Sequence, residues 1–152
     1  MSPAMKIKNY KPLALMAADR EDLDVVSAVL QDSVAKVGDV AFLPDQRRFA
    51  LVANRFVWEE GANKTKGPFT RVRVGVHFDD VLSVRTKSVR LDAKSAIVDI
   101  LSVTYHGGED GGTITLTLAG GGIVALAVDA INVTVRDISE PWRTQSKPDH
   151  EA

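Results

Sequence analysis

Residues 70–78 read TRVRVGVHF, with an apolar side chain at every second position. Successive side chains of a β-strand point to opposite faces of its sheet, so this alternation predicts a strand with one buried and one solvated face. The side chains predicted on the buried face are Val72, Val74, Val76 and Phe78. Those predicted on the solvated face are Arg71, Arg73 and His77, together with Gly75.

The same two-residue repeat recurs toward the C-terminus. Residues 113–119 alternate threonine with isoleucine or leucine, and glycines 120–122 supply the positive φ of a hairpin into residues 123–128. Residues 131–136 alternate as a last strand. Residues 97–106 fit either a helix or a strand, and the β-branched and aromatic run Val103-Thr104-Tyr105 favours the strand.

Upstream of residue 70 the pattern predicts a helix and further strands. Asp19 is an N-cap for a helix over Arg20 to Asp32, whose buried face repeats at three- and four-residue steps. Residues 13–16 fit an edge strand, and residues 36–43 and 48–58 predict a hairpin across the turn at 44–47. Downstream, Asp79-Asp80 predicts a tight turn into a strand over 81–87, in which Leu82 and Val84 face inward.

These elements predict an α+β fold that is predominantly antiparallel β. One N-terminal helix would pack on seven or eight strands rolled into a partly open barrel or sandwich. A pleckstrin-homology-like roll is one candidate, although that fold normally carries its helix at the C-terminus. Residues 1–12 are expected to form a flexible tail, 13–138 a single β-rich domain, and 139–152 a C-terminal tail that Trp142 pins to the body.

Composition excludes several classes of protein. None of the 152 residues is cysteine, which rules out disulfides, thiolate chemistry and zinc ribbons. No apolar run approaches the roughly 18–20 residues of a membrane span, and no signal-peptide core precedes the domain, so we expect a cytoplasmic protein. Net charge is −1, but residues 47–90 hold ten Lys or Arg against four Asp or Glu, whereas residues 91–140 hold two against seven.

A basic sheet face is the main candidate site. Arg71, Arg73 and His77 share the solvated face of one strand, and Arg85 and Lys87 would extend it if the next strand pairs with it. Several cations on neighbouring strands can hold an anion or a phosphate backbone. The alternative is an ordinary solvated face whose charges are relieved by Asp79, Asp80 and Glu59.

The sequence gives less support to a metal, cofactor, base-stacking or catalytic site. His77, His106 and His150 lack the spacing of metal ligands, and the glycine runs link strands instead of leading into a phosphate-binding helix, so no metal or cofactor is expected. Phe56 and Trp58 offer stacking surfaces for bases, but a core role fits aromatic residues better in a chain with so few of them. No nucleophile, acid/base pair or ligand set marks an enzyme.

Two segments carry a family resemblance. The run RRFALVANRFVWE at 47–59, taken with TLTLAGGG at 115–122, resembles an uncharacterised bacterial family, the domain of unknown function numbered 2948. QDSV at 31–34 and RDISEPW at 136–142 are also similar, and the resemblance covers roughly residues 13–150. It implies a single-domain bacterial protein and assigns no catalytic residue.

The sequence therefore leads to two functional hypotheses. The first is a non-enzymatic binding or assembly module, including a homodimer formed through a strand edge or an apolar patch. The second is a binder of nucleic acid or of an anionic small ligand that uses the face of Arg71, Arg73 and Arg85. Membrane association is not expected.

Overall fold

A computed structural model describes residues 10–57 and 69–144. In this part of the chain, eleven strands form one antiparallel sheet and a single α-helix packs against it. The strands are β1 (Ala14–Ala17), β2 (Ser33–Lys36), β3 (Val40–Leu43), β4 (Arg48–Phe56), β5 (Phe69–Phe78), β6 (Val81–Lys87), β7 (Ile97–Gly108), β8 (Gly111–Leu118), β9 (Ile123–Val128), β10 (Val133–Asp137) and β11 (Trp142–Thr144). The helix α1 spans Arg20–Leu30, and short 3₁₀ turns span Val37–Asp39 and Pro44–Gln46.

The strands follow the order β1-β10-β5-β4-β2-β7-β8-β9-β6, with β3 also paired to β4 and β11 to β5. The sheet is not closed into a barrel. The predicted α+β, antiparallel class is confirmed. The described strands outnumber the seven or eight predicted, because β2 lies mostly before the strand predicted over 36–43 and β11 lies in the predicted C-terminal tail.

The core lies between the inner face of the sheet and α1. Leu23, Val26 and Leu30 are the buried residues of the helix, as its periodicity predicted. The Asp19 carboxylate accepts a hydrogen bond from the amide of Asp22 at 2.8 Å, which confirms the predicted N-cap. The helix ends at Leu30, two residues before the predicted end, because the chain turns through a left-handed conformation at Asp32 with φ of 66°.

The strand that follows the predicted turn at Asp79-Asp80 does not pair with β5. The chain does turn at Asp80, which has φ of 60°, but β6 then pairs with β9, five strands away from β5 along the sheet. The amide of Val81 donates to the carbonyl of Arg47 at 2.9 Å and directs β6 away from β5. A register shift between Val81 and Ser83 turns Leu82 outward, so the predicted inward position of Leu82 is wrong.

A buried ion pair closes one end of the core. Arg55 of β4 and Asp137 of β10 form a two-pronged pair, with Nε to Oδ1 at 2.8 Å and Nη2 to Oδ2 at 2.9 Å. Both side chains are 1% exposed. Asp137 also accepts hydrogen bonds from the Tyr10 hydroxyl and the Leu13 amide, each at 2.8 Å. The pair therefore ties the N-terminal segment to the sheet.

Candidate anion-binding site on the outer sheet face

The two faces of β5 differ as its alternation predicts. Val72, Val74, Val76 and Phe78 are buried on the inner face. On the opposite face, here called the outer face, Arg73 is exposed while Arg71 and His77 are partly exposed. The sheet therefore presents the three basic side chains of β5 on its outer face, and their surroundings decide which of them is available to a ligand.

Arg71 is held by the protein itself. Its Nη1 donates to the backbone carbonyls of Asp32 and Asn54, each at 3.2 Å, and its guanidinium carbon lies 5.9 Å from the centroid of the Phe56 ring. Burial lowers the pKa of Arg71, and the charges of Asp99 and Asp32 oppose that shift. The hydrogen bonds of Arg71 therefore connect β5 to β4 and to the residue that precedes β2.

His77 belongs to an ion-pair cluster. Its Nδ1 lies 2.8 Å from Oδ2 of Asp79, and Nε of Arg48 lies 2.7 Å from the other oxygen of the same carboxylate. Partial burial by itself would raise the pKa of Asp79, but the hydrogen bonds from Arg48 and His77 outweigh it and lower the pKa. The side chains of His77 and Arg48 are therefore both already engaged by Asp79.

Arg85 and Lys87 lie in a different part of the sheet. They are on β6, which is a terminal strand of the strand order and pairs with β9 at these positions. The condition under which they would extend the basic face, pairing of β5 with β6, is not met. Both are exposed, and lysine or arginine on a terminal strand also discourages edge-to-edge association.

Arg73 differs from its neighbours, because no residue in 10–57 or 69–144 forms an ion pair with its guanidinium. It lines a concavity of about 190 Å³ on the outer face, into which Lys36, Asn54 and Asp39 also face. The apolar part of the lining is Val34, Val52, Ala53 and Ile97. Lys36 likewise has no ion-pair partner among the described residues. Two cations without ion-pair partners, an amide and the carboxylate of Asp39 thus surround one concave surface.

Strand register builds this concavity. Asn54 of β4 lies directly opposite Arg73 of β5 on one side and opposite Val34 of β2 on the other. Since neighbouring strands are about 4.8 Å apart, Arg73 and Val34 lie about 10 Å apart across the sheet. Lys36 follows Val34 by two residues and therefore points to the same face.

A 3₁₀ turn forms one wall of the concavity. Residues Val37–Asp39 lead the chain from β2 to β3 and place Asp39 beside Lys36. The amide of Gly38 donates to the carbonyl of Lys94 at 2.8 Å. A Cβ atom at Gly38 would lie 2.9 Å from that carbonyl oxygen, so the close approach requires glycine.

Lys36, Asn54 and Asp39 were not identified from the sequence. Lys36 was placed in a long strand over 36–43, and Gly38 is the one sequence signal of the turn at Val37–Asp39 that interrupts it. In the structure, Asn54 lies on the face of β4 opposite to that of the buried Phe49 and Leu51. A pairing of β4 with β5 in the observed register would have brought Asn54 next to Arg73.

A larger groove of about 580 Å³ lies at the start of α1. There the Arg20 guanidinium donates to the carbonyl of Gly107 and stacks on the Tyr105 ring, 5.1 Å from its centroid. The Tyr105 hydroxyl in turn donates to the carbonyl of Gly108 at 2.7 Å. The Arg20 guanidinium and the Tyr105 hydroxyl are therefore already bonded within the described part of the protein, unlike the charged groups of Arg73 and Lys36.

Other predicted sites have different outcomes. Phe56 is fully buried, in agreement with a core role, whereas Trp58, Glu59 and His150 lie outside the described residues. Within the described ranges, no group of three or more His, Asp or Glu side chains is arranged to hold a metal ion. No helix in those ranges has the length and hydropathy of a membrane span.

Comparison with known proteins identifies a family and no characterised relative. Searches of curated proteins and of solved structures found no match to this chain. The family described as protein of unknown function (DUF2948) matches residues 13–150, a range that contains the helix, every described strand and the concavity around Arg73. The chain belongs to this family, as its sequence resemblance indicated.

Proposed function

We propose that this protein is a non-enzymatic binding module that holds an anionic ligand in the concavity formed by Arg73, Lys36 and Asn54. One observation carries the proposal: these two cations lack ion-pair partners among the described residues, yet they line the same concave surface. Every other arginine discussed above is bound by a carboxylate, a carbonyl or an aromatic ring, or lies on the far strand β6.

The chemistry of the three side chains fits an anion. A guanidinium presents two parallel N–H donors to a phosphate or carboxylate, and a lysine ammonium adds a second positive charge with freely rotating donors. The Asn54 amide is a third donor when its NH₂ group faces the ligand. Hydrogen bonds to charged groups contribute about 1.5–3 kcal/mol each, so Arg73 is expected to account for a large share of the affinity.

Inorganic phosphate is the simplest probe. Titration of ¹⁵N-labelled protein with phosphate should move the amide signals of residues around 36, 54 and 73 along saturable curves. Arg73→Gln should weaken the affinity by about tenfold or more, which corresponds to the loss of roughly 1.4 kcal/mol or more. Raising the ionic strength with sodium chloride should weaken binding in the wild type.

The matched control removes two cations elsewhere. The Arg85→Gln, Lys87→Gln double variant lowers the net charge by more than Arg73→Gln does, but it leaves the concavity unchanged. It should bind phosphate with wild-type affinity. Signal changes that do not saturate, or that weaken equally in both variants, would mean that phosphate responds to overall charge, and the proposal would be abandoned.

Self-association through a strand edge is a second candidate, favoured by the exposure of β1. This terminal strand pairs with β10 and carries Met16, whose residue is 73% exposed. A free strand edge with an apolar side chain is a template for pairing with another chain. Light scattering at high concentration should then give the mass of two chains for the wild type and one chain for Met16→Lys. A single-chain mass for the wild type would exclude this candidate.

A further inference from the structure

We infer that the ligand of the Arg73 concavity is a compact phosphomonoester that also carries a hydroxyl group, as in a polyol phosphate, and is not a nucleic-acid strand. The inference rests on the proposed function, since it concerns the same site. Three observations support it: the size of the concavity, the carboxylate of Asp39 in the wall, and the contacts that already engage the neighbouring cations.

The concavity suits a small group. Its volume of about 190 Å³ is below the roughly 300–1,000 Å³ of ordinary small-molecule pockets. A concavity of this size admits a phosphate group and a few carbon atoms. Val34, Val52 and Ile97 give it an apolar side against which a short carbon chain can pack.

Asp39 adds an acceptor beside the two cations. Its exposed side chain lines the concavity together with Lys36 and Arg73. A carboxylate accepts a hydrogen bond from a hydroxyl but repels an anion, so it favours a ligand with one anionic end and one hydroxyl-bearing end. A continuous phosphate backbone would bring several negative charges past Asp39, whereas a phosphomonoester brings a single phosphate group that can sit at the cations.

Along β5, the basic side chains on either side of Arg73 are already engaged by the protein. Next to Arg73 along β5, Arg71 donates to two backbone carbonyls, and His77 contacts Asp79. Single-stranded nucleic acid is held by a charged groove several nucleotides long together with aromatic rings on which the bases stack. Phe56, the ring nearest to Arg71, is fully buried.

The test compares three probes on the same ¹⁵N-labelled protein: inorganic phosphate, glycerol 3-phosphate and a ten-nucleotide oligothymidylate. Glycerol 3-phosphate should bind at least about fivefold more tightly than inorganic phosphate. Asp39→Ala should remove that advantage without weakening the binding of inorganic phosphate. Asp45→Ala, at another exposed aspartate in the next 3₁₀ turn, should leave both affinities unchanged. Asp39→Asn provides a second variant in case the alanine perturbs the turn.

The outcomes separate the inference from the proposed function. If none of the probes binds in a manner that depends on Arg73, both fail together. If inorganic phosphate binds through Arg73 but glycerol 3-phosphate binds no more tightly, or its advantage persists in both Asp39 variants, the anion site stands and the hydroxyl-bearing ligand is rejected. Tighter binding of the oligothymidylate than of glycerol 3-phosphate, lost in Arg73→Gln, would replace the inferred ligand with nucleic acid.

Discussion

Arg55 and Arg73 occupy adjoining strands, and they face opposite sides of the same sheet. Arg55 of β4 is opposite Val72 of β5, and Arg73 is opposite Asn54, so the two arginines are near neighbours along the ladder. Arg55 points into the core, where it is 1% exposed and bound by Asp137 through two hydrogen bonds. Arg73 points outward and has no ion-pair partner among the described residues.

The comparison shows what each environment demands of a guanidinium. Transfer of a charge from water into the core costs several kcal/mol, so the inner arginine is accompanied by a carboxylate that matches its geometry. The outer arginine remains hydrated and needs no partner for folding. An exposed cation in a concavity is thus free to serve a ligand, whereas the inner one serves the fold.

Ion pairs join the two oppositely charged stretches of the sequence. Arg55 pairs with Asp137 inside the protein, and Arg47 pairs with Asp129 on the surface at 3.2 Å. Each pair joins the basic stretch 47–90 to the acidic stretch 91–140. The charge separation along the chain is therefore partly neutralised in space.

The largest effect is expected from leaving Arg55 without its carboxylate. Asp137→Ala should lower the free energy of unfolding by about 3–5 kcal/mol, because the buried guanidinium of Arg55 loses the carboxylate that accepts two of its hydrogen bonds. Urea denaturation followed by circular dichroism would measure the loss as a shift of the midpoint at a constant slope.

Two controls accompany this variant. Asp129→Ala removes a carboxylate from an exposed pair and should cost less than about 1 kcal/mol. The Arg55→Met, Asp137→Leu double variant replaces the pair with apolar side chains and should recover most of the stability lost in Asp137→Ala. A loss below about 1 kcal/mol in Asp137→Ala itself would contradict the role assigned to the buried pair.

A smaller effect is expected from acid. Burial by itself would raise the pKa of Asp137, but hydrogen bonds from Arg55, from the Leu13 amide and from Tyr10 outweigh it and lower the pKa. The unfolded chain, with an ordinary aspartate pKa of about 3.9, therefore takes up protons at a higher pH than the folded protein. The stabilisation is complete above that value and is lost as the pH falls toward the lowered pKa.

Urea midpoints measured between pH 7 and pH 2.5 would show this loss. They should decline in the wild type below about pH 5 and decline less steeply in the Arg55→Met, Asp137→Leu double variant. Asp79, whose pKa is also lowered, accounts for part of the decline that remains. Identical slopes in the two proteins would mean that Asp137 titrates normally in the folded state.

Local patterns in the sequence predicted the elements well. The alternation of residues 70–78 gave the correct faces of β5, and the N-cap and periodicity at Asp19 to Leu30 located α1. The β-branched run before Gly107 correctly favoured a strand for β7. These signals are short-range, because they depend on which side chains share a face within one strand or one helix.

Strand order and the composition of the site could not be read in the same way. The turn at Asp79-Asp80 suits a hairpin, yet β6 pairs with β9, since hydrogen bonds from Asp79 to Asn132 and from Val81 to Arg47 lead the chain elsewhere. The concavity joins Lys36, Asn54 and Arg73 from three strands, and their proximity follows from the register of those strands. No local pattern encodes that register.

The smallest effect on stability is expected at Arg73. Its backbone amide donates to the Ser139 hydroxyl at 2.9 Å, and its carbonyl accepts from the amide of Ile138 at 2.8 Å; glutamine preserves both. Arg73→Gln should therefore change the free energy of unfolding by no more than about 0.5 kcal/mol. Phosphate at ten times the wild-type Kd should raise the stability of the wild type by about 1.4 kcal/mol, and that of the variant by about 0.4 kcal/mol or less, in thermal denaturation. If Arg73→Gln itself destabilises the protein by more than about 1 kcal/mol, the outer arginine belongs with Arg55 as part of the fold, and the contrast between the two faces disappears.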